Sequence, residues 1–438
     1  MFGLSEIERE IIRRRDMRDV FTFTIDPADA KDFDDAISFQ KLEEGYQIGV
    51  HIADVSFYVK PGTKIDDDAY QRGTSVYLVD RVIPMLPEEL CNDKCSLRPD
   101  EDKLCMSVIF TMDADAHVIK YKICRTVIRS NARLNYDEAQ AVIQNSQCTM
   151  HNAQLGEAIL TLNNMAQKLR AERIASGALT IEQDEMRFRL DDHGHPVEIY
   201  FESPNEAHHL IEEFMLLANR TVATAVGSGR PFVYRVHDLP DSEKLEDIKK
   251  FKRQCAMTAK MRHHEVSQEA VKRAIDMLTI RAQAKAVYST YNIGHYGLAF
   301  SHYTHFTSPI RRYPDLMVHR LVEKYILTGK KETLTREELE EKCEHCSACE
   351  QEATQAERDS IKLFQAMWMK DHLGEILSGF ITGITDFGFF VQLEDSRCEG
   401  LVHMTTIEHP ENFVLGDKVT VQVTRVDLNR SQIDFELV

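Results

Sequence analysis

Five aspartates, Asp26, Asp29, Asp32, Asp34 and Asp35, crowd into the ten residues 26–35 of the segment IDPADAKDFDDA. Like charges packed this tightly repel unless cations neutralise them, so the segment reads as a divalent-metal site. Donors that are all oxygen select magnesium, manganese or calcium over zinc or copper. A calcium loop of the EF-hand kind fails on register: counted from Asp32, Asp34 is third and Glu43 twelfth, but Ile37 stands where a glycine is required. Magnesium keeps few protein carboxylates and completes its shell with water and substrate phosphate, which suits a phosphoryl-transfer or nuclease centre. The alternative is a solvated acidic turn, since aspartates at strand ends commonly form turns.

A second constellation lies at HYTHFTSPIRRYPDLMVHR, residues 302–320, where Arg311 and Arg312 sit between Pro309 and Pro314. Adjacent guanidiniums on a stiff turn suit bidentate contact to phosphate oxygens and neutralisation of charge developing in phosphoryl transfer. The alternative is a pair of surface arginines bound to Asp315 or another acid. Combined with the acidic loop, arginine and metal make a phosphodiester-cleaving set. Cys343, Cys346 and Cys349 have spacing that resembles a zinc site, but on one helix steps of three spread over a broad arc, so they are expected to pack as small apolar residues. His51, His237, His295, His305 and His319 are expected to be structural, because magnesium chemistry does not need imidazole.

The acidic loop needs a rigid base. Phe21, Phe23 and Ile25 alternate with Thr22 and Thr24, predicting a half-buried strand that Pro27 ends, and Tyr46, Ile48, Val50 and Ile52 alternate as a second strand. From Thr335 to about Leu373 there is no proline or glycine, and Thr335 with Glu338 forms a capping box, predicting one long helix. From about Asp371 the pattern changes: ITGITDFGFFVQL, GLVH and GDKVTVQVTRVD alternate between glycine turns as a small all-β module does.

At 438 residues the chain is long enough for about two or three domains. No apolar stretch approaches the ~18 residues of a membrane span, and the N-terminus turns charged before a signal-peptide core could form, so a cytoplasmic protein is expected. Ten cysteines without a secretory signal read as reduced thiols. The net charge of −18 disfavours nonspecific attraction to nucleic acid, although metal-bound carboxylates lose effective charge and a narrow channel can be basic inside an acidic surface.

The motifs IDPADAKDFDDA, VHIADVSFYV, RGTSVYLVDRVIPMLPEEL, IEEFMLLAN, NIGHYGLAF, HFTSPIRRYPDL and AERD follow one another in this order. Together they resemble the catalytic domain of the ribonuclease II and R family of exoribonucleases, most closely ribonuclease R. The tail resembles the ribosomal S-one type OB fold. This resemblance implies an α+β architecture: a lead-in over 1–17, a mixed α/β ribonuclease II-type catalytic domain over 18–370, and a small all-β OB-fold barrel over 371–438. It implies processive hydrolysis of single-stranded RNA, not DNA, from the 3′ end to nucleoside 5′-monophosphates, with magnesium (manganese as the alternative), by a monomer needing no membrane.

Carried over by motif, the resemblance assigns metal binding to Asp26, Asp32, Asp34 and Asp35, and leaves Asp29 as a turn former. Asp34 matches the aspartate indispensable for cleavage and Arg311 the arginine supporting the transition state, with Arg312 a phosphate contact. Tyr77 and Phe188 match aromatic rings that clamp the terminal bases, where any base offers a π-face. Glu212 (or its neighbour Glu213), Glu357 and Tyr136 match positions along the RNA path, and a carboxylate can accept from a 2′-hydroxyl. In the tail, Phe387, Phe390 and His403 occupy positions of a strand-binding surface. Without the resemblance, the aromatics read as core residues and the glutamates as solvated helix faces. Neighbours on a strand face opposite ways, so Phe389 or Phe390 is expected in the barrel core.

The chain departs from the family in starting just before the first catalytic motif, where cold-shock RNA-binding domains usually precede. The stretches between GLVH and GDKV and between about Lys252 and Arg273 are also short. A catalytically inactive RNA-binding relative is the alternative function. The presence of all four matched aspartates and Arg311 favours the enzyme.

Overall fold

The computed structural model describes residues 5–144, 153–180, 184–241, 282–329 and 334–438, with scattered residues between 243 and 280. The shortened stretch between Lys252 and Arg273 falls, apart from residue 272, outside these.

Helix α1 (Glu6–Arg13) opens the described chain, with a reciprocal Ser5–Glu8 capping box satisfying its first amides. A seven-stranded mixed sheet follows, built from β1 (Arg15–Asp16), β2 (Thr22–Asp26), β3 (Asp35–Lys41), β4 (Tyr46–Ala53), β7 (Asp102–Met112), β8 (Val118–Arg129) and β9 (Ala132–Asn135). Its order is β1-β8-β7-β4-β3-β2-β9. The outermost pairs, β1–β8 and β2–β9, are parallel, whereas the rest are antiparallel. Between β4 and β7 the chain forms α2 (Val55–Tyr58), α3 (Lys64–Arg72) and the small hairpin β5 (Val76–Tyr77) and β6 (Val82–Ile83).

Strand β2 is buried on both faces, not half-buried as the alternation predicts: Thr22 and Thr24 are as inaccessible as Phe23 and Ile25. The strand runs between β3 and β9 with α4 (Tyr136–Gln144) against it, and short threonine side chains leave room for that cover. Phe21 lies just ahead of the strand. Helices α4, α5 (Ala153–Ala175) and α6 (Glu206–Gly227) pack on one another, and α4 and α6 reach the sheet. The core runs through Phe23, Ile25, Ile48, Ile52 and Phe110 into Phe214 of α6. Each such side chain contributes roughly 1.5–3 kcal/mol by leaving water.

The hairpin β10 (Glu185–Leu190) and β11 (Pro196–Glu202) stands outside the large sheet, and so does the ribbon β12 (Tyr234–Val236) with β13 (Val287–Ser289). Helix α7 (Tyr313–Val322) begins at Tyr313 with a proline in its first turn. Helix α8 (Arg336–Lys370) is a single 35-residue element, and its Thr335–Glu338 capping box forms as predicted. Cys343 and Cys346 pack in the core from this helix, and the eight cysteines among the described residues are free.

The chain ends in a closed barrel of β14 (Ile376–Thr385), β15 (Gly388–Leu393), β16 (Glu399–His403), β17 (Lys418–Asp427) and β18 (Gln432–Leu437), in the order β14-β15-β16-β18-β17. The barrel core takes in Phe389, Val391, Val402, Val421 and Phe435, and packs against Ala366 and Met369 at the end of α8. Among the described residues no helix is long and apolar enough to cross a membrane.

Candidate active site

The acidic loop hangs between two adjacent strands: Asp26 is the last residue of β2 and Asp35 the first of β3. Pro27 to Ala30 form a turn closed by the Ala30 N–H on the Pro27 carbonyl at 3.1 Å, with Asp29 exposed on it. Asp34 is anchored from several sides. Its carbonyl accepts the Ala53 N–H of β4 at 2.8 Å. Its Oδ1 accepts the Ile310 N–H at 2.9 Å, and its Oδ2 lies 3.7 Å from Arg311 Nε. Residues 276 positions apart in sequence thus meet at one carboxylate.

These carboxyl groups ionise less readily than ordinary carboxylates. Burial, and then the neighbouring Asp35, push Asp26 up to about 8. Burial likewise raises Asp35 to about 6, against the pull of Arg311, and it raises Asp32 and Asp34 too. Buried carboxylates that resist ionisation this way lack enough compensating positive charge: Arg311 acts on Asp32, Asp34 and Asp35, and Arg133 on Asp26, without outweighing burial. Asp26 Oδ2 is buried with no hydrogen-bond partner.

The donor set therefore fits a hard divalent cation. No three His, Cys, Asp or Glu side chains among the described residues converge into a ready-made ion cage.

The two arginines part company. Arg311 keeps 41% of its side chain exposed, faces Asp34, and donates to the Ser308 hydroxyl at 3.0 Å. Arg312 is withdrawn beneath it and donates to Asp315 Oδ1 at 2.9 Å. Asp315 is fully buried and also accepts the Ser308 N–H at 2.8 Å. The tandem clamp pictured from the sequence is thus one outward guanidinium and one inward brace, and Arg312 meets the acid that the bland alternative named.

Tyr77 is joined to this turn through the backbone. Ser75 N–H and the Thr74 hydroxyl donate to the Arg311 carbonyl at 2.9 and 3.0 Å, and the Tyr313 N–H donates to the Gly73 carbonyl at 2.9 Å. Gly73 has φ +66°, and a Cβ there would lie 2.5 Å from Cys349 Cβ, so only glycine lets the hairpin pass so close under α8. Enclosure pushes the Tyr77 phenol up to about 12, with Arg311 opposing and Asp32 and Asp34 adding. The ring therefore lies beside the acidic loop, although 40% of the residue remains exposed.

Glu357 accepts the Tyr77 N–H at 3.0 Å, and Ser360 accepts the Val79 N–H at 3.1 Å, so α8 carries the hairpin. Phe188 reaches the same helix seven residues on, its ring 5.8 Å from that of Phe364. Tyr136, at the start of α4, stacks flat on His208 at 3.7 Å. Burial, and then the charges of Asp35 and Asp26, raise its phenol, which places it at the other end of the loop.

Glu212 is half exposed and pairs loosely with Arg173 at 3.3 Å, whereas Glu213 is buried and bound to Arg173 at 2.5 Å. Phe387, Phe390 and His403 sit far along the chain on the barrel surface. Phe387 is 57% exposed and edge-on to Phe390, Gly388 pairs with His403 across the strands, and Phe389 points into the core.

Each of the five histidines has a local partner on at least one ring nitrogen, although His237 Nε2 and His319 Nδ1 are buried without one. His51 bridges Ser38 and Ser107 at 2.8 Å each, His319 meets the Phe306 carbonyl, and His305 meets the Tyr288 hydroxyl. His237 and His295 accept backbone N–H groups of Gly297 and Leu298. The Ile310 amide and His208 carry no sequence signal, since their partners Asp34 and Tyr136 lie far away in the chain, whereas Ser308 and Asp315 stand inside SPIRRYPD three residues from Arg311 and Arg312.

The family model described as the RNB domain matches residues 14–328, and that described as the S1 RNA binding domain matches residues 370–437. Ribonuclease R of Aquifex aeolicus is 40% identical to this chain over 98% of it and 66% of the relative. Ribonuclease R 2 of Lactococcus lactis is 34% identical over 99% of the chain and 71% of the relative. Among solved structures, Mycoplasma genitalium RNase R in complex with ribose methylated single-stranded RNA superposes with a TM-score of 0.90 at 26% identity, covering 100% of this chain and 74% of that one. The chain thus spans 66% of the length of its Aquifex relative.

Proposed function

Since this chain belongs to the ribonuclease R family, with its RNB and S1 domains, we propose that it is a processive 3′ to 5′ exoribonuclease that hydrolyses single-stranded RNA to nucleoside 5′-monophosphates. The observation that carries this reading is the meeting of buried Asp34 with the Ile310 amide and Arg311. An acidic cluster suited to a hard cation and a guanidinium suited to a phosphate thus adjoin at one carboxylate.

In this reading Asp26, Asp32, Asp34 and Asp35 hold magnesium, or manganese in its place. Bound there, the metal supplies activation of the attacking water and stabilisation of the leaving 3′ oxygen, as a two-metal displacement requires. Arg311, fixed by Ser308 and Asp34, neutralises charge on the phosphoryl oxygens, while Arg312 braces the turn from below through Asp315. Tyr77 and Phe188 stack on bases near the 3′ end, which orients the last phosphodiester without reading sequence. Tyr136, Glu212 and Glu357 line the path of the terminal riboses. Phe387, Phe390 and His403 give incoming single strands an aromatic surface on the barrel. A duplex without a single-stranded 3′ end does not fit such a path. RNA turnover and quality control in the cytoplasm, by a monomer, is the setting that this reading implies.

The test is to incubate the protein with 5′-labelled single-stranded RNA and with its DNA counterpart, each with magnesium or EDTA, and to resolve products at single-nucleotide steps. Magnesium-dependent shortening of the RNA alone to a residue of a few nucleotides is the expected result. RNA that stays intact yet shifts on a native gel would instead identify a noncatalytic binding relative.

A further inference from the structure

The hairpin that carries Phe188 is a two-stranded sheet with no third strand among the described residues. Such a ribbon is marginal by itself, so outside contacts must fix where its side chains stand. Along β10 exposure alternates, and Phe188 sits on the more covered face, against Phe364 of α8.

The barrel supplies the other fixed point. Arg397, in the turn between β15 and β16, places its guanidinium carbon 4.0 Å from the centre of the Phe201 ring on β11. The same guanidinium lies 2.5 Å from Asp184 Oδ2, immediately before β10. Asp184 Oδ1 also accepts the Ser203 hydroxyl, just past β11, at 2.5 Å. One carboxylate thus joins both open ends of the hairpin to one barrel arginine. Ile199 of β11 packs against the barrel core, and at the hairpin's closed end His195 Nε2 lies 2.8 Å from Asp371.

The backbone of Arg397 is left-handed, with φ +52°. A long side chain adopts that conformation at a cost, and it persists where surrounding contacts over-determine it. Stacking on an aromatic face and a planar fork for a carboxylate are contacts that arginine makes and glycine, the residue favoured in such turns, cannot.

We propose that Arg397 is a positioning residue: it clasps the Phe188 hairpin to the barrel, so that the docked barrel sets where the RNA 3′ segment stacks. This rests on the reading of Phe188 as an RNA-stacking ring. The clasp joins the strand-binding barrel to the catalytic half at a point no metal ligand touches.

The test uses the full chain as wild type, Arg397→Ala, Arg397→Lys, Asp184→Ala and the Arg397→Ala/Asp184→Ala double variant, beside Phe188→Ala. Hydrogen exchange over residues 185–202 should quicken about tenfold in each single alanine variant of the clasp, and no further in the double variant, while the barrel strands stay protected. Arg397→Lys keeps the charge but not the flat stack, and should fall between. On labelled RNA the clasp variants should stop several nucleotides longer than wild type, as Phe188→Ala should, while hydrolysis of oligonucleotides too short to reach Phe188 stays unchanged. Unchanged exchange over the hairpin would overturn the clasp. Faster exchange with wild-type end points, while Phe188→Ala lengthens them, would overturn positioning. If Phe188→Ala itself ends where wild type does, the stacking reading fails and positioning fails with it, whereas exchange still reports the clasp.

Discussion

At the scale of single residues, the site turns on how differently neighbours in sequence are used. Arg311 and Arg312 are adjacent, yet one faces Asp34 and the other is bound inward to Asp315. Their loss should therefore differ in kind. Arg311→Ala should lower kcat by about 10²–10³ with little change in KM, the range seen when one preorganised donor to a developing charge is removed. Arg311→Lys should recover little of it, since an ammonium lacks the planar fork. Arg312→Ala should instead lower thermal stability, because it leaves the buried Asp315 without its charge partner. Steady-state kinetics with melting curves on the three variants separates these roles; equal kcat losses with equal melting temperatures would contradict them. The aspartates were legible because five of them fall within ten residues. The contact between Asp34 and Arg311 was not, because no spacing rule links residues so far apart; chemistry put the acidic loop and the arginines in one set without saying which atoms meet.

At the scale of elements, the loop is held by a sheet whose far edge is locked through a buried ion cluster. Asp54, at the end of β4, lies 2.6 Å from Arg14 and 3.3 Å from Arg125, and is fully buried. Burial alone would raise its carboxyl, but Arg14, Arg125 and the Ser56 hydroxyl outweigh it and hold it at about 2. The unfolded value is about 3.9, so folding favours the ionised form; that stability is full above about pH 4 and drains away as pH falls toward 2. The shift corresponds to about 2–3 kcal/mol. Asp54→Asn should melt earlier at neutral pH, by about 3–5 kcal/mol of lost stability as Arg14 loses its partner, and should show a shallower acid slope between pH 4 and 2. An unchanged acid slope would remove Asp54 from this role. The strands and the long helix could be read from period and capping alone. Burial of β2 on both faces could not, because Thr22 and Thr24 pattern as solvent-facing until α4 and the neighbouring strands are placed. In the barrel the period of two did resolve Phe389 inward from Phe390, since strand neighbours must diverge.

At the scale of the whole molecule, the proposed function has hydrolysis at one compact site and spreads RNA capture well beyond it. The acidic cluster and Arg311 occupy the loop between two interior strands and one turn, whereas the rings expected to hold the strand are spread over the β5–β6 hairpin, the Phe188 hairpin and the barrel. A chain of net charge −18 gains little from long-range attraction to RNA, so affinity must come from close stacking along that path. Cutting the chemistry should therefore leave capture intact. The most direct measurement is Asp34→Asn beside wild type on one labelled single-stranded RNA with magnesium, following cleavage on a sequencing gel and binding by filter retention. The account predicts a cleavage rate at least about a thousandfold lower with a Kd within a few-fold of wild type. An Asp34→Asn protein that still shortens the RNA at a comparable rate would contradict it.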